Sequence, residues 1–305
     1  MIDMRFLILR PGAIGDTLLA FPVLRALRAQ YIHPHVTFVS NASVLSLALA
    51  FGVAEEASDY GHIQWSELFS THGIHSPAMQ DLLQRIDSAI CWLRDPGGMV
   101  EHNLLMAGVR HVIVAPGRPR ESLHIVDYLA RTIGLPMPVG IHTPFTLPGP
   151  GATYPDKTVA IHPGSGGTNK CWPARHFAAI IEWLWNLTEQ VYSVLLLSGP
   201  ADQERIGNIL GRLTLREPAM LKIMINEPLL AVASQLQQCR CYLGNDSGIT
   251  HLAALLGIPT IALFGPSDPT TWRPVGPEVI VIRETILEQI NINMVMDALN
   301  AVLGV

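Results

Sequence analysis

The 305-residue sequence is poor in several features, and each shortage removes a class of protein. Charged residues make up only 15% of the chain, yet no apolar run reaches the roughly 18 to 20 uncharged residues of a membrane-spanning helix. The start, Met1–Arg10, lacks a signal-peptide layout, because its apolar stretch Phe6-Leu-Ile-Leu9 is short and leads straight into a glycine turn. A cytoplasmic location is the resulting expectation. Twenty Lys and Arg stand against 25 Asp and Glu, a formal net charge of -5. That balance argues against nucleic-acid binding, which calls for a basic stripe, but allows a small anion held by a few local cations. The four cysteines, Cys91, Cys171, Cys239 and Cys241, have no paired metal spacing. Cys239-x-Cys241 would put both sulfurs on one face of a strand, which favours buried thiols over a zinc site.

Apolar residues are plentiful, at 49%, so large cores can be buried. Length alone suggests two domains of about 150 residues each. Phe6 to Leu9 reads as a buried strand, followed by the turn Arg10-Pro-Gly-Ala-Ile-Gly15 and a helix over about 16–30 with Leu18, Leu19, Phe21, Val23, Leu24 and Leu27 on its apolar face. His35 to Ser40 follows as a strand and Ser43 to Ala50 as a helix. Ser88 to Leu93 and His111 to Val114 are further strands, before a helix over 122–133. Alternating strands and helices imply an α/β fold with doubly wound parallel sheets. Gly134-Leu-Pro-Met-Pro138 and Leu147-Pro-Gly-Pro-Gly151 form the densest proline–glycine region, which places a linker there and domains at 1–150 and 151–305. The α/β rhythm then restarts: strands at Thr158 to His162 and Ser193 to Ser198, helices over 174–188, 202–214 and 229–237, and a closing amphipathic helix over 286–303 that is free to pack back on the first domain. Two such halves leave a cleft between them, the expected ligand site. Trp183 and Trp185 offer an interface or membrane contact, with helix core the preferred reading.

Candidate chemistry gathers in loops at strand ends. Pro11-Gly-Ala-Ile-Gly-Asp16 is not the G-x-G-x-x-G fingerprint, and no acidic residue ends the next strand, which disfavours a dinucleotide oxidoreductase. Asp16 reads either as an N-cap carboxylate or as a general base aimed into the cleft. His162-Pro-Gly-Ser-Gly-Gly-Thr-Asn-Lys-Cys-Trp-Pro173 resembles a phosphate cradle with Lys170 as its cation, although it is not a Walker A loop. Ser198-Gly-Pro-Ala-Asp-Gln-Glu204 offers Glu204 to a ribose hydroxyl, or merely an acid in a first helical turn. Asn245-Asp-Ser-Gly248 joins a strand to a helix, where free amides and the helix dipole suit a phosphate. Gly248 permits close approach, Ser247 can cap the helix or hydrogen-bond an oxyanion, and His251 can face the same crevice. An ordinary strand-to-helix corner with a core histidine is the plain alternative.

Taken together, three stretches resemble glycosyltransferase family 9, the ADP-heptose:lipopolysaccharide heptosyltransferases. They are Leu9-Arg-Pro-Gly-Ala-Ile-Gly-Asp-Thr-Leu-Leu-Ala-Phe-Pro22, His162-Pro-Gly-Ser-Gly with Lys170-x-Trp-Pro173, and Gly244-Asn-Asp-Ser-Gly-Ile-Thr-His-Leu-Ala-Ala254 with Phe264-Gly-Pro266. The resemblance implies a GT-B fold, two Rossmann-like domains facing across a cleft with the sugar nucleotide on the C-terminal half. It implies inverting, metal-independent transfer with no resident cofactor, the donor being a nucleoside-diphosphate sugar such as ADP-heptose. Asp16 matches the family's base; Ser165, Gly166 and Lys170 match the diphosphate-side loop; Asp246, Ser247, Gly248 and His251 match the second nucleotide loop. Gly15, Arg120 and His124 fall on the acceptor side, and the implied acceptor is a lipopolysaccharide core or another glycan or glycolipid, met at the inner face of the cytoplasmic membrane. In the family's best-known members the acceptor-side region is basic, whereas residues 54–84 here contain no Lys or Arg. Two other classes fit the same loops: a sugar-nucleotide-binding protein without transferase activity, and another GT-B enzyme such as a sugar-nucleotide 2-epimerase. Oligomeric state is not legible in the sequence.

Overall fold

A computed structural model of the chain describes residues 4–136, 140–147, 157–187, 191–214 and 220–304. It divides into two compact units, Met1–Ile141 and His142–Val305. The boundary therefore falls earlier than residue 150. The second unit takes up the chain at once: the Phe145 amide donates to the Leu255 carbonyl at 2.8 Å, and His142 Nδ1 lies 2.9 Å from the Gly276 carbonyl. Residues 137–139 and 148–151 of the expected linker lie outside the described residues.

The first unit holds strands β1 (Arg5–Arg10), β2 (His35–Ser40), β3 (Glu56–Asp59), β4 (Ser88–Trp92) and β5 (His111–Ala115) in the order β3-β2-β1-β4-β5. All are paired in parallel. Its helices are α1 (Ile14–Leu18), α2 (Phe21–Arg28), α3 (Ala42–Ala50), α4 (Pro77–Leu83), α5 (Met99–Met106) and α6 (Ile125–Thr132). Phe6, Leu7, Ile8 and Leu9 of the central strand are buried on both faces, which is why this strand reads as an unbroken apolar run. On one face Leu7, Leu9, Ala89 and Cys91 pack with Met79 and Leu83 of α4 and Val100 and Leu104 of α5. The helix expected over 16–30 is two helices. Pro22 stands in the first turn of α2 and has no N–H to give the Leu18 carbonyl, so the ladder breaks between them.

The second unit holds β6 (Thr158–His162), β7 (Ser193–Ser198), β8 (Leu221–Ile225), β9 (Cys241–Asn245), β10 (Thr260–Phe264) and β11 (Val279–Arg283), in the order β11-β10-β9-β6-β7-β8 and again all parallel. Helices α7 (Ala174–Trp185), α8 (Gln203–Leu210), α9 (Leu229–Leu236), α10 (Gly248–Leu255), α11 (Pro269–Trp272) and α12 (Ile292–Leu303) complete it. The chain leaves β6 toward one edge of the sheet and later returns to β9 on β6's other side. That makes the β6–β9 boundary the switch point, where an open α/β sheet offers a crevice beyond its carboxyl ends. The closing helix does not start at 286: a short 3-10 turn over Leu287–Gln289 precedes it, and Asn291 caps α12 by accepting from the Asn293 amide at 2.9 Å. Helix α12 fills the second unit's own core, where Val295, Leu299 and Leu303 join Val159, Ile161, Trp172 and Phe177. Trp185 belongs to the same core and Trp183 packs against it. All four cysteines are buried, and Cys239 stands just ahead of β9. Among the described residues no helix is long and apolar enough to cross a membrane.

Candidate functional site

Both stretches expected to cradle a phosphate lie at the switch point of the second unit. β6 ends on His162 and pairs with β9, which ends on Asn245, so the loop bearing Lys170 and the turn opening α10 leave neighbouring strands. Asn245 fastens one to the other. Fully buried, its Nδ2 donates to the Pro163 carbonyl at 2.7 Å, and its Oδ1 accepts from the Trp172 amide at 2.9 Å, so one side chain holds both ends of the 163–172 loop. Ser165 adds a third tie by donating from Oγ to the Asp246 carbonyl at 2.6 Å. Gly166 between these ties is exposed, and a Cβ there would meet nothing within 4 Å, which leaves its backbone open to a ligand.

Lys170 reaches across to the second stretch, where its Nζ lies 2.9 Å from Asp246 Oδ2. The other oxygen, Oδ1, lies 3.7 Å from His251 Nε2, near enough for charge to act but beyond a hydrogen bond. Burial raises the proton affinity of the Asp246 carboxyl, but His251, Ser267 and Lys170 together outweigh it and hold the group well below the usual carboxylate range. Lys170 therefore meets any incoming anion already paired. His251 is buried in the first turn of α10, and its Nδ1 has no hydrogen-bond partner among the described residues. Gly248 opens α10 behind Ser247, whose Oγ caps the helix by accepting from the Thr250 amide at 3.4 Å.

Of the two roles open to Ser247, the structure shows the helix cap rather than a hydroxyl aimed at an oxyanion. Its Oγ lies 3.1 Å from His162 Nδ1 and 3.0 Å from Thr250 Oγ1, so the hydroxyl is occupied within the protein. Behind it, His162 Nε2 lies 3.3 Å from Asp202 Oδ2, and that carboxylate also accepts from the Gly199 amide at 2.8 Å. Burial raises Asp202, but the His162 hydrogen bond and the Gly199 amide overcome this and keep the carboxyl low. Glu204, two residues on, is exposed in the first turn of α8 and accepts no hydrogen bond among the described residues. The buried acid of this loop is Asp202. His162, Asp202 and Asn245 are not among the residues read from the sequence, although for His162 and Asn245, which close β6 and β9, a signal is there. A polar residue ending an apolar parallel strand is buried, and a buried polar group must find partners.

In the first unit, Asp16 is not the N-cap of its helix. That position is Ala13, which offers no side-chain cap, and Asp16 falls in the first turn with Gly15 just before it. Buried Arg10, the last residue of β1, fixes this turn: its Nε and Nη2 donate to the Asp16 backbone carbonyl at 3.3 and 3.2 Å. The half-buried Asp16 carboxylate itself takes no hydrogen bond or ion pair among the described residues. Burial pulls the Arg10 guanidinium below its ordinary value; Asp16 offsets this and Arg118 adds to it. Arg120 is exposed beyond β5; burial pushes the Tyr128 hydroxyl up, and the charges of Arg10 and Arg120 offset only part of that rise. His124 caps α6, with Nδ1 accepting from the Val126 amide at 3.3 Å.

Two doubly wound, Rossmann-like units in one chain, the second with a lysine-bearing glycine loop beside a helix N-terminus at its switch point, make the chain a GT-B-type α/β protein. The family model described as glycosyltransferase family 9 (heptosyltransferase) matches residues 142–300, more than half of the sequence, and the chain belongs to that family. One stretch of 118 residues is 34% identical to the lipopolysaccharide heptosyltransferase 2 of Escherichia coli. It covers 38% of this chain and 33% of that protein, so the match spans about a third of the relative's length. A lipooligosaccharide heptosyltransferase 2 of Campylobacter jejuni is 21% identical over 287 residues, 89% of this chain and 84% of the relative. Among solved structures, an ADP-heptose lipopolysaccharide heptosyltransferase II of E. coli superposes with a TM-score of 0.75 at 22% identity, covering 98% of each chain. A glycosyl transferase family 9 protein of Veillonella parvula gives 0.78 at 18% identity, covering 99% of this chain and 97% of that one. At these identities the structural likeness bears on the fold alone.

Proposed function

We propose that the protein is an inverting glycosyltransferase that moves a sugar, heptose from ADP-heptose, onto a lipopolysaccharide-core or related glycan acceptor. The observation that carries the reading is the cluster at the β6–β9 switch point: the tied 163–172 loop, Lys170 and the N-terminus of α10, all within the stretch that the family model matches. An acceptor hydroxyl attacks the anomeric carbon as the nucleoside diphosphate leaves, and the charge gathering on the diphosphate needs donors fixed in advance. Lys170, the backbone amides of residues 164–167 and those opening α10 supply them without a metal ion or cofactor. Asp246 orients the lysine ammonium and competes with the diphosphate for it, so donor binding exchanges one carboxylate partner for phosphate oxygens.

Asp16 is assigned the proton of the acceptor hydroxyl. Arg10 fixes its backbone while its carboxylate keeps both oxygens available, the condition a general base has to meet. Gly15, Arg120 and His124 remain assigned to the acceptor side, with catalysis in the cytoplasm at the inner membrane face. The lack of Lys and Arg across 54–84 points to an acceptor held there by neutral sugar hydroxyls rather than by its anionic groups. A thermal-shift panel of ADP-, UDP-, GDP- and CMP-sugars tests the donor. A ligand at 100 times its dissociation constant adds about 2.7 kcal/mol, so ADP compounds are expected to raise Tm clearly. A response to UDP or GDP sugars alone would sink the assignment.

A further inference from the structure

Asp202, His162 and Ser247 form a buried line across three neighbouring strand ends. Asp202 follows β7, His162 closes β6 and Ser247 follows β9, with β6 lying between the other two strands. The hydrogens in this line have one consistent direction. The ionised Asp202 carboxylate at 3.3 Å calls for a proton on His162 Nε2, which leaves Nδ1 to accept from the Ser247 hydroxyl at 3.1 Å. Thr250 Oγ1 donates to the Asn245 carbonyl and accepts from the Tyr242 hydroxyl at 3.0 Å, so its second lone pair, 3.0 Å from Ser247 Oγ, is the rival to His162 Nδ1 for the Ser247 hydrogen. The order acid, imidazole, hydroxyl is that of a serine hydrolase, but this hydroxyl caps a helix and is 9% exposed. Asp202 also shapes the first loop directly, because a Cβ on Gly164 would collide with its carboxylate.

We infer that His162, oriented by Asp202, is a positioning residue of the donor site: it locks the cap of α10 to the end of β6 so that both loops present one geometry to a nucleoside diphosphate. The inference rests on the donor-site reading above. Backbone pairing of β6 with β9 does not depend on the imidazole, so losing it loosens the loops while the sheet stays. The test combines two measurements on the full chain, nitrogen NMR of the His162 ring and calorimetric titration with ADP. The wild-type ring is expected as the Nε2–H tautomer. His162→Ala is expected to weaken ADP by at least about tenfold, the worth of one charge-assisted hydrogen bond, and to raise the donor KM more than it lowers kcat. His162→Asn, whose amide oxygen can take the Ser247 hydrogen, is expected to recover most of the affinity.

Should His162→Ala fail to fold, Asp202→Asn carries the same test: it keeps the shape, removes the charge that selects the tautomer, and is expected to mix the two tautomers while weakening ADP. An Nδ1–H tautomer in the wild type, or ADP affinity unchanged by all three substitutions, would overturn the inference and leave the donor site standing. Labelling of Ser247 by a fluorophosphonate would make it a nucleophile and overturn the inference as well. If the wild-type protein binds no ADP, the donor reading itself falls and takes this inference with it.

Discussion

Replacing Asn245 by alanine tests whether the 163–172 loop is held from one buried point. The substitution removes the 2.7 Å bond to the Pro163 carbonyl and the 2.9 Å bond from the Trp172 amide at the same time. Trp172 is fully buried, and its amide gains no water in exchange. Each buried polar group left unpaired costs about 1–3 kcal/mol, so the two together cost about 2–6 kcal/mol before any cavity is counted. At roughly 2–4 °C per kcal/mol for a unit of this size, the second unit should melt at least about 4 °C lower. Thermal unfolding gives the total, and amide hydrogen exchange at Trp172 locates it: protection there should fall more than at Ala160 or Ile161, which lie within β6. A Tm within about 1 °C of wild type, or a Trp172 amide as protected as before, would refute the reasoning, since either would mean that the loop is held elsewhere.

Lys170→Ala should weaken ADP by roughly ten- to a hundredfold, the loss of a charge-assisted contact, with transfer slowed in parallel; calorimetry and initial rates read both. Asp246 and Asp202 are held below the ordinary carboxylate value in the fold. Their stabilising contribution is therefore fully present above the unfolded value of about 4 and is lost as pH falls toward the folded values, so Tm should drop steadily on acidification below about pH 4. Asp246→Asn should flatten that slope in a Tm-against-pH series.

The sheets were legible because parallel strands buried on both faces are continuous apolar runs. Thr158–His162, Ser193–Ser198 and His35–Ser40 have the bounds that the sequence suggests. Three edge strands are missing from the sequence reading: β3, Glu-Ala-Ser-Asp, carries no such run, and β8 and β11 are only partly buried. Helix ends were less legible, because Pro22 breaks a continuous apolar face without interrupting its periodicity. Of the candidate site, the glycine loops and Lys170 were readable as residue types suited to an anion. What fixes them was not. Asn245, His162 and Asp202 act through partners about 40 to 80 residues away in the chain, and side-chain pairing at that range leaves no periodic trace. Glu204 was the sequence's acid for this loop, whereas packing buries Asp202 and leaves Glu204 in solvent.

One pair of rates tests the proposed roles most directly, donor binding by the second unit and proton removal by Asp16 of the first. ADP release from ADP-heptose is measured with and without a lipopolysaccharide-core acceptor, for the wild type and for Asp16→Ala, with ADP affinity measured alongside. The wild type should release ADP only when acceptor is present, and Asp16→Ala should release almost none while binding ADP as tightly as before. Full activity in the Asp16→Ala variant, or acceptor-independent release at the same rate in the wild type, would contradict the account.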